Sequence, residues 1–349
     1  MPKHNFAYKK IRVEDAVGLS LAHDITEIRK DEFKGVAFPK GYMVKQTDIC
    51  HLMKLGKQHL YILDLDETTV HEDEAVLELA RALAGNGVVY TDKPREGKLE
   101  LLAAHDGLLK INVEGLIEFN MIPEVMCASL HTNTPVKRKA KLAGTRAIPL
   151  VIDRAVLDLA LDIAGSNAPI FEVRPFKKAK ARLIVTGSEV FNGLIKDRFE
   201  PIVQKKMQAY GSKLVESIIL PDDRDMISKT LKDFLAKDTD IIITTGGMSV
   251  DPDDVTRFAI KDAGVDKLFY SAAVLPGAMF QLAYKKDIPI VGIPACGLYH
   301  EITVFDLVLP RLLAGEKPDN RDMARLAHGG LCQDCNVCSY PACSFGKSF

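Results

Sequence analysis

The chain has 349 residues, 47% of them apolar, with 46 lysines and arginines against 47 acidic residues. That length suits two or three domains with sizeable cores. The near-zero net charge excludes a broad electrostatic draw toward nucleic acid or an anionic membrane. No apolar run approaches the roughly 20 residues of a bilayer span. Residues 1–10 are polar and basic with no apolar stretch behind them, unlike a signal peptide. A soluble, cytoplasmic protein is expected.

In chain order, residues 16–63 predict a small mixed unit. An extended stretch over 19–28 is followed by the turn Phe38-Pro39-Lys40-Gly41, a helix over 45–55 stopped by Gly56, and a strand over 59–63. The acidic stretch 64–74 opens a new element, and Val76, Leu77, Leu79, Ala80 and Leu83 recur at helical spacing. Residues 97–153 alternate short apolar runs with polar turns and predict a mostly β region, and 173–180, with Lys177, Lys178 and Lys180, reads as a solvated linker. His105-Asp106 and His131 with Asn133 read as surface turns, since no partner aligns with them.

From residue 181 the rhythm becomes regular. Strands are predicted over 182–186, 213–220, 240–244, 268–274 and 288–292, and helices over 197–210, 225–237, 254–263 and 300–313. Buried strands alternating with helices predict a three-layer α/β/α domain with a mainly parallel sheet, preceded by smaller mixed and mostly β domains. The divisions expected are 1–75, 76–178, 179–317 and a cysteine-rich tail, 318–349. In such sheets the ligand sits beyond the C-terminal ends of the strands.

Three polar turns fall there. They are Thr186-Gly187-Ser188-Glu189, Thr245-Gly246-Gly247-Met248-Ser249 running into Asp251, Asp253 and Asp254, and Pro294-Ala295-Cys296-Gly297. Paired glycines let backbone amides approach a phosphate, and a helix starting near Asp254 would add its positive end. Carboxylates beside a phosphate call for a hard cation between them, which suits Mg²⁺. A plainer alternative makes the glycines a tight turn and an aspartate a helix cap. Neither a Gly-x4-Gly-Lys-Ser/Thr loop nor a Rossmann fingerprint is present.

Four of the seven cysteines form Cys332-x2-Cys335-x2-Cys338-x4-Cys343. The first three resemble the ferredoxin-type iron–sulfur spacing, and structural zinc sites usually hold their Cys-x2-Cys pairs further apart. The tail is expected to bind an iron–sulfur cluster or, alternatively, Zn²⁺. His328 reads as a solvent-exposed linker residue.

The segment 244–256, with the turn 186–189 upstream, resembles the domain shared by molybdopterin adenylyltransferases, molybdopterin molybdenumtransferases and the gephyrin E-domain, over residues 180–315. Residues 15–22 and 41–63 also resemble stretches of the molybdenumtransferases, whereas 66–173 resembles no part of them. Thr186, Gly187 and Glu189 match that family's Thr-Gly-Asp-Glu turn, with Ser188 in place of its aspartate. Gly246, Gly247 and Ser249 match its Gly-Gly-x-Ser phosphate turn, and Asp254 its acidic residue before the helix. Pro276 and Gly277 match a Pro-Gly pair flanked by lysines in the family and by Leu275 and Ala278 here. Pro294 matches a Pro-Gly-Asn-Pro turn whose remainder is Ala295, Cys296 and Gly297.

The resemblance implies a molybdopterin site built from Thr186, Gly187, Ser188, Thr245, Gly246, Gly247, Met248, Ser249, Pro276, Gly277 and Pro294. In it Glu189 and Asp254 act on Mg²⁺ or molybdate, and Asp254 serves as a metal ligand. It further implies transferase-like chemistry in molybdenum cofactor biosynthesis, a molybdoenzyme client and a homodimer. The lost lysines and aspartate remove charge that would stabilise an oxyanion, so a non-catalytic carrier or sensor is a rival. Nucleotide hydrolysis, as in the competence-damage-inducible family, is another. Cys296 is either a soft ligand near the pterin dithiolene or a small buried hydrophobe.

Overall fold

Ile241, Ile242, Ile243, Thr244 and Thr245 are all buried, as expected of a β-branched run in a strand covered on both faces. Alternate residues diverge to two cores. Ile241 and Ile243 join Leu183, Val185, Val291 and Ile293 on one side, and Ile242 joins Ile184 and Ile290 on the other. This strand lies inside the sheet of a computed structural model that describes residues 8–29, 33–63, 68–95, 97–248 and 254–347.

The chain divides into two compact units, one comprising Met1–His105, Lys110–Leu130 and Lys137–Val173, the other Asp106–Leu109, His131–Val136 and Arg174–Phe349. The second holds a sheet of β1 (Lys180–Thr186), β2 (Lys213–Leu220), β3 (Ile241–Thr245), β4 (Lys267–Tyr270), β5 (Gln281–Lys285) and β6 (Ile288–Ile293), in spatial order β2-β1-β3-β6-β5-β4. The pairings β1/β2, β1/β3 and β3/β6 are parallel, whereas β6/β5 and β5/β4 are antiparallel.

Helices α1 (Phe199–Ala209), α2 (Arg224–Leu235), α3 (Thr256–Asp262) and α4 (Val304–Leu313) complete the layers. Val203 and Met207 of α1 and Phe305, Val308 and Leu309 of α4 pack on one face of the sheet. Ile227, Leu231 and Phe234 of α2 and Ala259 and Ile260 of α3 pack on the other. The three-layer α/β/α architecture is therefore present.

Some predicted elements shift. The strand expected over 268–274 ends at Tyr270, and β5 was not foreseen. The helix expected to begin near Asp254 begins at Thr256 and has seven residues, and α4 begins at Val304 rather than at residue 300. The stretch 173–180 is not a free linker. Phe171–Pro175 is a strand, Lys180 opens β1, and its ammonium pairs with Asp238.

The first unit contains two antiparallel pairs, Tyr8–Arg12 with His59–Leu63 and Ile25–Arg29 with Phe33–Phe38, around Val13, Leu21, Phe38, Leu52 and Leu60. It also contains a four-stranded antiparallel sheet in the order Val88–Tyr90, Lys98–Ala103, Lys141–Ala147, Val125–Ser129. The helix Glu72–Leu83 buries Ala75, Val76, Leu79, Ala80 and Leu83 on one stripe. It is continuous across residue 75, so the division expected there cuts an element. Helices Val113–Asn120 and Arg154–Ser166 add to a region expected to be mostly β. Residues 64–67 of the acidic stretch lie outside the described residues. Among the described residues no helix is long and apolar enough to cross a membrane.

His71 caps the helix Glu72–Leu83. Its Nδ1 accepts from the Asp73 amide at 3.1 Å, and its Nε2 lies 2.9 Å from the Ala22 carbonyl, which fixes the Nε2–H tautomer. Burial is the main cause that holds its pKa below 6.5, aided by the Lys40 charge and opposed by the Ala22 bond. The folded state thus disfavours imidazolium. Stability is complete above the unfolded value of 6.5 and falls as pH drops below it. Thermal unfolding of the wild type should shift downward from pH 7 to about pH 5, and His71→Gln should flatten that dependence.

Candidate functional site

From β1 the chain returns to one side to form β2 and then crosses to the other to form β3. The C-terminal ends of β1 and β3 are therefore a topological switch point, where open α/β sheets bind ligands. The turn after β1 and the glycine pair after β3 meet there in a cleft of about 1190 Å³, lined by Gly187, Ser188, Glu189, Gly246, Gly247 and Asp254 among others. A second cavity of about 740 Å³ shares Gly246, Gly247, Asp254 and Ala295 and continues past Pro276, Gly277, Pro294 and Cys296.

The floor is fastened from inside. The Thr186 hydroxyl donates to the Thr245 carbonyl at 3.0 Å and lies 3.0 Å from the Thr256 hydroxyl, tying β1, β3 and α3 together. Gly246 (φ +82°) and Gly247 (φ +57°) adopt left-handed conformations. A Cβ at Gly246 would stand 2.2 Å from the Thr186 carbonyl oxygen, and one at Gly247 would stand 2.4 Å from the Thr256 hydroxyl. Only glycine lets the backbone sit this low. The Thr245 hydroxyl is buried and has no hydrogen-bond partner among the described residues.

Several expected residues take supporting roles. Thr186 and Thr245 are buried and hold the turn rather than face the cleft broadly. Met248 is also buried, its side chain filling the space over Gly292, and its carbonyl accepts from the Tyr270 hydroxyl at 3.0 Å. Arg257 stacks on Tyr270, 5.5 Å from the ring centre, so the rear of the loop is braced. Ser249, Asp251 and Asp253 lie outside the described residues. α3 is only two turns long, so its dipole adds little at this end of the sheet, and the left-handed glycine turn is the more direct source of backbone amides.

Three charged groups escaped the sequence. Asp222, after β2, accepts from the Ser188 amide at 2.8 Å and from its hydroxyl at 3.0 Å, and it lines the cleft. A carboxylate from a different turn thus stands against Ser188, where the resembling family carries an aspartate. Lys196 and Arg198, both exposed, line the same cleft and bring back positive charge missing beside Pro276–Gly277. No local motif announces them, because the fold brings them in from the segment before α1.

Hard oxygen donors Glu189, Asp222 and Asp254 fit Mg²⁺, which needs only one or two carboxylates when phosphate oxygens and water complete its shell. Among the described residues no three His, Cys, Asp or Glu side chains gather as a self-sufficient metal site. Burial pushes the Cys296 thiol up, against backbone hydrogen bonds that lower it, so it sits in the cavity wall as a neutral thiol.

The architecture defines an α/β domain with a cleft at the switch point of its sheet. Residues 182–314 match a family model described as a "probable molybdopterin binding domain". Residues 10–64 match a model described as a domain of unknown function. A molybdopterin molybdenumtransferase of Haemophilus influenzae is 23% identical over 218 residues, covering 59% of this chain and 51% of that protein. A CinA-like protein of Thermosipho melanesiensis is 36% identical over 91 residues, covering 26% of this chain and 22% of that protein. The solved MoaB protein of Thermus thermophilus aligns at 19% identity with a TM-score of 0.35, over 40% of this chain and 98% of that one. The chain therefore spans about half or less of the length of these curated relatives.

Proposed function

We propose that this protein binds molybdopterin, or its adenylated form, in the cleft after β1 and β3 and acts in molybdenum cofactor biosynthesis as a molybdenumtransferase-like enzyme. The observation that carries this is that the glycine turn and Asp254 join two adjoining cavities, one lined by Glu189 and Asp222 and the other by Pro276 and Gly277, within the segment matching the molybdopterin-binding model. The pterin phosphate would lie against Gly246 and Gly247 with Ser249 beside them. Thr186, Thr245 and Met248 keep the turn in place. Gly187, Ser188, Pro276, Gly277 and Pro294 would shape the remaining walls.

Glu189 and Asp254, with Asp222 behind Ser188, would hold Mg²⁺. When bound, the ion neutralises phosphate charge and orients oxygen ligands. Lys196 and Arg198 would attract molybdate to the open side of the cleft. A homodimer in the cytoplasm that hands its product to a molybdoenzyme completes this reading.

Incubating the full chain with adenylated molybdopterin, Mg²⁺ and molybdate should give molybdenum-dependent turnover. Tight pterin binding without turnover would indicate a carrier or sensor instead.

The match to CinA-like proteins supports a second reading, hydrolysis of a nucleotide or pyridine nucleotide on the same glycine turn. Hydrolysis of ADP-ribose with Mg²⁺, in the absence of pterin binding, would favour it.

A further inference from the structure

The cysteine tail is docked onto the second unit. The Leu275 amide donates to the Gly330 carbonyl at 2.8 Å, and the Cys332 amide donates to the Leu275 carbonyl at 2.8 Å. This pins the start of the tail to the loop that continues into Pro276 and Gly277. The far end is closed as well. The Gly346 amide donates to the Gly329 carbonyl at 2.9 Å, and the Lys347 ammonium donates to the Thr134 hydroxyl at 3.0 Å. Phe345 is only 3% exposed and packs with Tyr340, Cys332 and Cys343 against the core.

The segment 329–346 is thus a loop without helix or strand, joined at its neck and anchored by one aromatic side chain. Long loops of this kind usually carry function. All four cysteines of the motif, Cys332, Cys335, Cys338 and Cys343, are free thiols and line one cavity of about 420 Å³. Chain folding alone does not require four thiols on one cavity. Cys332 and Cys343 serve as packing on one side, but Cys335 and Cys338 are exposed and contribute no core.

Thiolates around a single zinc ion stand about 2.3 Å from it, and no three ligand side chains among the described residues converge in that way. Four cysteines on one cavity, the first three spaced Cys-x2-Cys-x2-Cys, suit a [4Fe–4S] cluster, in which each iron takes its own cysteine. The fourth spacing, four residues with Pro341 inside it, departs from the usual ferredoxin run.

We infer that the tail holds an iron–sulfur cluster at the rim of the cleft, with Cys332, Cys335, Cys338 and Cys343 as its ligands. His300, Leu331, Cys332 and Asp334 line both the thiol cavity and the cavity beside Pro276–Gly277. The cluster therefore shares a wall with the cavity beside Pro276–Gly277. This holds whichever ligand the cleft takes.

The test is anaerobic purification of the full chain, followed by reconstitution with ferrous iron and sulfide. Iron, acid-labile sulfide and zinc are measured together with visible absorption. About four irons and four sulfides per chain, with a broad visible band bleached by dithionite, are expected. Cys335→Ser and Cys338→Ser, at exposed positions, should each lose at least about half of that band while retaining wild-type circular dichroism. Cys50→Ser, an exposed cysteine of the other unit, should retain the full band. Zinc in place of iron, no metal on folded protein, or a full band in both tail variants would overturn the inference.

Discussion

Gly246→Ala is expected to weaken ligand binding at the cleft. The position has φ +82°, and the added Cβ would meet the Thr186 carbonyl oxygen at 2.2 Å. Left-handed backbone alone costs a non-glycine residue about 1–2 kcal/mol. The contact with backbone cannot be relieved by rotating a side chain, so the turn must lift. Since the Thr186 hydroxyl also bonds to Thr245 and Thr256, lifting the turn loosens both strand ends and α3. Molybdopterin affinity should fall by roughly tenfold or more, equivalent to about 1.4 kcal/mol. Gly211→Ala is the matched control. Its φ is +73°, but a Cβ there meets nothing within 4 Å. It should cost comparable backbone strain and leave binding intact. Equal binding losses in the two variants, by fluorescence titration, would show that strain alone was measured.

Arg311→Ala should be the most destabilising single change in the second unit outside its apolar core. The guanidinium donates to Glu316 at 2.7 Å and to Asp322 at 2.9 Å, with only 12% of the Arg311 side chain and 10% of the Glu316 side chain exposed. Removing one partner of such a group strands the other's charge, at about 3–5 kcal/mol. Arg174, 3.1 Å from Glu316, retains part of the pairing. The double variant Arg311→Ala with Glu316→Gln should lose less than Arg311→Ala alone, because the more deeply buried of the two carboxylates, Glu316, is no longer left as a charge. Urea unfolding of both variants measures the difference. Burial would raise the Asp322 pKa, but hydrogen bonds from Asp319 and Arg311 outweigh it and hold it below 3.8. That contribution is therefore present above the unfolded value of 3.8 and disappears as pH falls through the lower folded value.

The parts of the molecule written in local pattern were readable from the sequence. The isoleucine run of β3, the amphipathic spacing of α2 and the paired glycines each state their structure within a few residues. β5 was hidden because Gln281–Lys285 is a short apolar run joined to β6 by a tight polar turn, in which Lys286 itself takes φ +53°. The helix Arg154–Ser166 was hidden because its apolar residues surround much of its circumference and blur the stripe. Within the site, glycines and carboxylates in consecutive turns were visible, but the partnership of Asp222 with Ser188 spans 34 residues and depends on β1 and β2 being neighbours. The same limit applies to the tail. Its four cysteines are conspicuous in the sequence, yet that Cys332 also lines the cavity beside Pro276–Gly277 shows only in the fold, where Leu331 bridges Leu275.

The most direct measurement is equilibrium binding of molybdopterin to the full chain under anaerobic conditions with Mg²⁺, followed by competition with ADP-ribose. Saturable pterin binding that ADP-ribose does not displace, and that Gly246→Ala weakens, is the predicted result. No pterin binding by folded protein, together with ADP-ribose binding or hydrolysis, would contradict the assignment of this cleft to molybdopterin.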